Sequence, residues 1–273
     1  MGMYFVKDWY CKPYKKGKTY QGIWVPKTWS GLTDFYGGQI WTDGTEIYHS
    51  DGTNHYVLNR NNSSWITKNW SGYTNFEGHT IWTDGVDIYA SNYDARQSSR
   101  RYQYVLDKAI SKWNNKTWNG VTRPIRSCIW TDGDYIYYST STTQYVLSNP
   151  SSGTWTSKTW NGLTNFEGAY IWTDGDNVYY SNYTTQYVLD KTTSTWSVKQ
   201  WNGLTQIYGE YIWTDGTNTY YSYDGNQYVL DKTTSTWSIK TWQGLTSFRG
   251  AYTWKDGDHV YYSYGPSNQY ELT

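Results

Sequence analysis

From Ile23 to Leu272 the chain alternates short apolar runs with polar clusters. The runs are rich in Trp, Tyr, Val, Ile and Thr, the clusters in Asp, Gly, Asn, Ser and Thr, and no longer stretch carries a helical period. The segment 169–201 shows the pattern most clearly. It predicts strands at 169–173, 178–181, 186–190 and 196–201, broken by Asp-Gly, Ser-Asn and Asp-Lys-Thr-Thr-Ser-Thr. Aromatic and β-branched residues suit a pleated surface, and Asp-Gly suits a tight hairpin because glycine accepts the positive φ of the turn.

The same four pieces recur. Trp-Thr-Asp-Gly begins at Trp41, Trp82, Trp130, Trp172 and Trp213 and returns as Trp254-Lys255-Asp256-Gly257, at spacings of 41, 48, 42, 41 and 41 residues. That period is the length of a four-stranded propeller blade. Two further tryptophans mark each fourth strand: Trp24/Trp29, Trp65/Trp70, Trp113/Trp118, Trp155/Trp160, Trp196/Trp201 and Trp237/Trp242. Of the 19 tryptophans only Trp9 falls outside this scheme. A unit of about 40 residues buries too little by itself to offset its own ordering, so each must be covered by its neighbours.

Strand order also predicts how the ring closes. The sixth repeat ends after its third strand at Gln269-Tyr270-Glu271-Leu272-Thr273, whereas the chain begins with an unpartnered fourth strand at 23–29. The N-terminal strand should therefore complete the C-terminal blade and remove an exposed edge. The expected architecture is all-β: a six-bladed β-propeller of four-stranded antiparallel blades over residues 19–273, preceded by a basic and aromatic arm at 1–18.

An acidic turn residue precedes a tryptophan across the third and fourth strands, as in Asp190 to Trp196 and Asp231 to Trp237, and in this the chain resembles the kelch-type β-propellers. The paired glycines that family carries after its second strand are replaced here by Tyr-Tyr-Ser, as in Tyr179-Tyr180-Ser181. The Trp, Tyr, Thr and Asn-rich wording also resembles kelch-like proteins of bacteriophage structural modules. The resemblance implies a binding or structural platform and no particular activity.

Composition narrows the partners. The 23 basic residues cancel the 23 acidic ones, which removes the attraction on which nucleic-acid affinity rests. A mean hydropathy of -0.85 and the lack of a long apolar run exclude membrane insertion through a helix. Cys11 and Cys128 read as free thiols, and the start of the chain lacks the apolar stretch of a secretory leader, so cytoplasmic synthesis is expected. The arm holds Lys7, Lys12, Lys15, Lys16 and Lys18 among Tyr4, Phe5, Trp9 and Tyr10, suiting either an anchor to a partner or a cover for the last blade.

In such a blade the turns after the first and third strands share one face. Here they are monotonous, with six Asp-Gly turns and Asp-Lys-Thr-Thr-Ser-Thr repeated verbatim at 190–195 and 231–236. The opposite face varies, which makes it the candidate binding surface. Five residues before each first-strand Trp stand Tyr36, Glu77, Ile125, Glu167, Tyr208 and Arg249, with Arg126 replacing a glycine found in the other copies. The loops after the second strand add Tyr93, Tyr183, Tyr223 and Tyr264, and the insertion at 92–102 adds Arg96, Arg100 and Arg101. Tyrosines beside Asn, Ser and Thr suit either a glycan or a protein partner, and equally suit capping of blade ends.

Enzymatic readings find little support. A sialoside-cleaving propeller would need three convergent arginines with a tyrosine and carboxylates, which Arg126, Arg249, Tyr208 and Glu167 meet only loosely. A copper oxidase would need clustered ligands, yet His49, His55, His79 and His259 are spread over three repeats. Asp132/Asp134, Asp174/Asp176 and Asp256/Asp258 read as turn formers rather than calcium ligands. The recurrent Lys27, Lys68, Lys116, Lys158, Lys199 and Lys240 read as guards against edge-to-edge pairing. The expectation is a non-catalytic propeller of a virion or cell surface, without cofactor or metal. A soluble lectin with one sugar site per blade is the alternative, and a glycosidase-type enzyme the third.

Overall fold

A computed structural model describes residues 19–35, 39–76, 79–92, 103–121, 129–149, 153–266 and 268–273. Six sheets, each a four-stranded antiparallel meander, form a ring of blades. Blade 4 shows the pattern, with strands Ile171–Thr173, Val178–Tyr183, Thr185–Asp190 and Thr195–Val198 in that spatial order. Blade 6 is closed from the other end of the chain. Trp24–Pro26 lies antiparallel to Asn268–Leu272, with Trp24 opposite Leu272 and Pro26 opposite Tyr270. Among the described residues no helix is long and apolar enough to cross a membrane.

Two boundaries differ from the pattern-based expectation. The fourth strand of blade 4 stops at Val198, so Trp201 has already left it. In addition, 169 and 170 do not extend the first strand; in blades 4, 5 and 6 a single 3-10 turn, Gly168–Tyr170, Gly209–Tyr211 and Gly250–Tyr252, leads into it. Both departures have one cause. The connector must cross to the next blade, and there its side chains find more to bury than strand pairing within its own blade offers.

The core accordingly lies between blades. One cluster joins Trp172 and Tyr179 of blade 4, Trp201 and Ile207 of the connector, and Ile212, Tyr221, Leu230 and Trp237 of blade 5. Five equivalent clusters fill the other interfaces, including that between blades 6 and 1, where Trp254 and Tyr261 meet Trp29, Phe35 and Trp65. Trp172 stacks on Tyr179 at 4.4 Å and lies 5.8 Å from Trp201 and 6.0 Å from Trp237. Rings meeting at tilted and edge-on angles add to the area they remove from water.

Each first-strand indole is held by a serine nine residues on. Trp172 Nε1 donates to Ser181 Oγ at 2.8 Å, and the same bond joins Trp41 to Ser50, Trp82 to Ser91, Trp130 to Ser139, Trp213 to Ser222 and Trp254 to Ser263. Ser181 is fully buried, so water cannot replace it. Ser181→Ala should lower stability by about 1–3 kcal/mol, the cost of an unpaired buried donor, and thermal unfolding will show it.

The rim carries a second repeated device. Asn202, just past Trp201, forms a parallel bridge with Thr236 of the next blade; its N–H donates to Ser235 O at 3.0 Å and its carbonyl accepts from Trp237 N at 2.9 Å. Bridges of this kind join every pair of neighbours: Ser30 with Ser64, Ser71 with Lys112, Asn119 with Thr154, Asn161 with Thr195 and Gln243 with Ile23. The glycine that follows lies against the neighbouring backbone. A Cβ on Gly203 would sit 2.1 Å from the Trp237 carbonyl oxygen.

The recurrent lysines belong to this seam. Lys158, Lys199 and Lys240 each place Nζ 4.6 Å from the centroid of the tryptophan two residues on, and Lys27, Lys68 and Lys116 do so at 4.8 to 5.0 Å. Lys158 and Lys199 also donate at 2.7 Å to Ser194 and Ser235 of the following blade. The cation–π contact is local and the bond to serine crosses the blade boundary, a role the edge-guard reading did not include.

Candidate functional site

The face of the Asp-Gly turns consumes its own polar groups. In blade 4, Asp174 Oδ1 accepts from the backbone N–H groups of Asp176 and Asn177 at 3.0 and 2.8 Å, and Oδ2 accepts the Tyr179 hydroxyl at 2.9 Å. Burial and the Asp174 charge push the Tyr179 hydroxyl well above its ordinary pKa. Carbonyls at the turn are then capped from the next blade: Lys232 donates to Asp174 O, Lys191 to Asp132 O, Lys255 to Asp215 O and Lys108 to Asp43 O. At the closure Arg60 Nε reaches both carboxylate oxygens of Asp256 at 2.8 and 2.9 Å. Asp43, Asp132, Asp174 and Asp215 are turn locks, and among the described residues no group of three or more candidate ligands gathers for a metal.

The opposite face is assembled differently. Glu167, Tyr208 and Arg249 each occupy the position immediately before a 3-10 turn, in extended backbone, so the constant offset from the first-strand Trp marks a true structural equivalence. The three turns follow one another around the ring and touch: a Cβ on Gly209 would meet Tyr170 O at 2.3 Å, and one on Gly250 would meet Tyr211 O at 2.2 Å. Glu167, Tyr208 and Arg249 are thereby brought to one side of the ring across blades 4, 5 and 6. Tyr36, Glu77, Arg126, Tyr93, Arg96, Arg100 and Arg101 lie outside the described residues, as do Ile125, Cys11, Cys128 and the arm at 1–18.

The loop tyrosines fall into two registers. Tyr223 and Tyr264 directly follow the buried Ser222 and Ser263, and each packs on the 3-10 tyrosine of its own blade: Tyr223 on Tyr211 at 4.7 Å, Tyr264 on Tyr252 at 4.5 Å. Tyr183 stands one residue further on, in the hairpin itself, and stacks on Tyr208 of the following connector at 5.1 Å with 25° between the rings. The extended pairing of Ile207–Tyr208 with Asn182 and Tyr183 holds it there.

The result is a row of rings. Tyr183 meets Tyr208, Tyr208 meets Tyr211 edge-on at 6.2 Å, Tyr211 meets Tyr223, and the Arg249 guanidinium lies 5.5 Å over Tyr223. Arg249 Nε is anchored on Asp224 Oδ1 at 3.2 Å. Tyr170 flanks the row 6.4 Å from Tyr208; burial, then Glu210 and Glu167, raise its hydroxyl pKa. Burial and a bond with Glu210 act likewise on Tyr211. Tyr170, Tyr211 and Glu210 were missed as site residues, although a tyrosine two residues before the Trp recurs in the last three repeats and was readable as a signal.

No protein-family model matches the chain, and no curated protein matches it.

Proposed function

We propose that the chain is a non-catalytic binding and structural propeller of the kelch type, a component of a virion such as a bacteriophage particle or of a cell surface, contacting a glycan or a protein through its variable face. One contrast carries the reading. On the turn face the same internal bonds recur from blade to blade and occupy the polar groups, whereas the other face presents side chains that differ between blades, with Glu167, Tyr208 and Arg249 at one equivalent position. Tyr183 is 42% exposed on that face, a large amphipathic ring at a hairpin tip. Difference at equivalent positions supports one composite surface over a separate sugar site in every blade.

Electron microscopy of the particle or envelope that carries the chain tests this. Density for the partner is expected against the loops after the second strands and the 3-10 turns of blades 4 to 6. Contact made instead through the Asp-Gly face would overturn the proposal.

A further inference from the structure

Blade 6 lacks one of the devices that seal the turn face. Lys191 and Lys232, from the turns before the fourth strands of blades 4 and 5, each lean over the preceding blade: Lys191 meets Asp132 O and Asp134, and Lys232 meets Asp174 O and Asp176. In blade 6 the third strand does not turn into the fourth, because the fourth comes from the other end of the chain. Counted from the strand tryptophan, Trp24 in place of Trp237, the position of Lys232 falls on Thr19. The Asp215 carbonyl is met instead from the first strand of blade 6 by Lys255 at 3.0 Å, where the other five repeats carry Thr.

A groove stays open on blade 5. Its volume is about 360 Å3, and Thr217, Asn218, Val229, Leu230, Asp231 and Ser238 line it. Thr217 stands where blade 4 has Asp176, the residue that Lys232 covers there. The chain passes alongside. Tyr20 and Val229 pack against the same cluster of Trp24, Trp213 and Tyr220, Tyr20 donates to Asp258 O at 2.6 Å, and a Cβ on Gly22 would lie 3.6 Å from Lys240 Nζ of blade 5. Residues 1–18 are therefore tethered at the edge of this groove, which gives them a higher local concentration there than any second copy of the chain has.

Charge and apolar character are complementary as well. Burial, then the carboxylates of Asp215, Asp258 and Glu271, push the Tyr20 hydroxyl up to about 12, so the field where the arm joins the ring is negative. Lys27 and His259 meet Glu271, and Lys255 and Lys232 are held by turn carbonyls. Asp231 and Asp258 are exposed, and among the described residues neither forms an ion pair. The arm carries Lys7, Lys12, Lys15, Lys16 and Lys18 against the single carboxylate of Asp8, and its Trp9, Tyr10 and Tyr14 supply rings that a groove lined by Val229 and Leu230 can bury.

We propose that residues 1–18 fold back in cis over this groove, aromatic side chains in it and lysines toward Asp231 and Asp258, so that the arm takes the place of the turn that blade 6 lacks. The assignment stands apart from what the variable face binds.

Limited trypsin digestion of the full chain, followed by mass spectrometry, tests it. Cutting after Lys7 and Lys15 is expected to be about tenfold slower than in a synthetic peptide of residues 1–20, since a seated arm is cut only from its open state. Ser238→Arg puts bulk and a like charge into the groove at an exposed strand position and should restore the rate of the peptide. Thr217→Lys, on another wall of the groove, should act alike. Ile239→Arg, one residue along but outside the groove, should leave the protection intact, and all three variants should melt as the parent does. Cutting as fast as in the peptide, protection that survives both groove variants, or protection that fades on dilution, the mark of an arm seated on a second copy, would overturn the assignment. None of these outcomes bears on the electron-microscopy test of the variable face.

Discussion

Replacing Gly162 with alanine should cost about 3–5 kcal/mol of stability, whereas the same change at Gly44 should cost about 1–2 kcal/mol. Both glycines have positive φ, 82° and 88°, so the backbone penalty of a Cβ is shared. They differ in what surrounds them. A Cβ on Gly162 would lie 2.0 Å from the Trp196 carbonyl oxygen of the next blade, while nothing stands within 4 Å of the one on Gly44. To admit the methyl group, blade 4 must move away from the connector, which breaks the bond from Trp196 N to Asn161 O at 2.9 Å and loosens Lys158 from Ser194. Thermal melts of the two variants check this, and equal losses would show that the rim bridges contribute nothing to cohesion of the ring.

The second large effect concerns acid. His49 is buried where blades 3 to 6 place a tyrosine, with Phe35 at 5.3 Å, Tyr56 at 6.2 Å and Trp65 at 6.3 Å. Burial, aided by the nearby His55, lowers its pKa from 6.5 to about 3. Unfolded chains take up a proton below about pH 6.5 and the folded ring does not until about pH 3, so stability is full above the upper value and falls through that window as pH drops. At about 1.4 kcal/mol per pH unit the loss reaches roughly 2–3 kcal/mol by about pH 4.5. His55, whose ring bonds the Thr74 carbonyl at 2.8 Å and whose pKa is also lowered by burial, adds in the same direction. Restoring the residues of the other blades, His49→Tyr with His55→Gln, should flatten the melting temperature above about pH 5. Below that, protonation of Glu271, held low by His259 and Lys27 against the effect of burial, still opens the closure. An acid slope unchanged by the double substitution would place the sensitivity elsewhere.

The equivalence of three candidate positions was legible because it is tied to a landmark. Glu167, Tyr208 and Arg249 share one offset from the first-strand Trp because a 3-10 turn of the same length precedes the first strands of blades 4, 5 and 6. The loop tyrosines had no such landmark. Tyr183 and Tyr223 look alike in sequence, but one residue of register separates a ring that caps its own blade from a ring in a strained hairpin that crosses to the next. Tyr170 and, by the same repeat, Tyr211 escaped notice because an aromatic residue within an expected strand reads as core. The second role of Lys158 and Lys199 was not legible because edge protection is a local property, whereas the serines they bond lie in the next blade.

Sequence alone determined the unit, its number and the joining of the chain's ends, since these follow from a repeated Trp-Thr-Asp-Gly hairpin, from six tryptophan triplets and from a strand missing at one end and spare at the other. Tertiary structure decided where the indoles are buried, which glycines tolerate no side chain and which tyrosines line up into a surface. The physical reason is that period and propensity report how a residue sits within its own strand. Here each blade buries its aromatic rings against the next, so the decisive contacts join residues of adjacent repeats, whose relative placement exists only once the ring has closed.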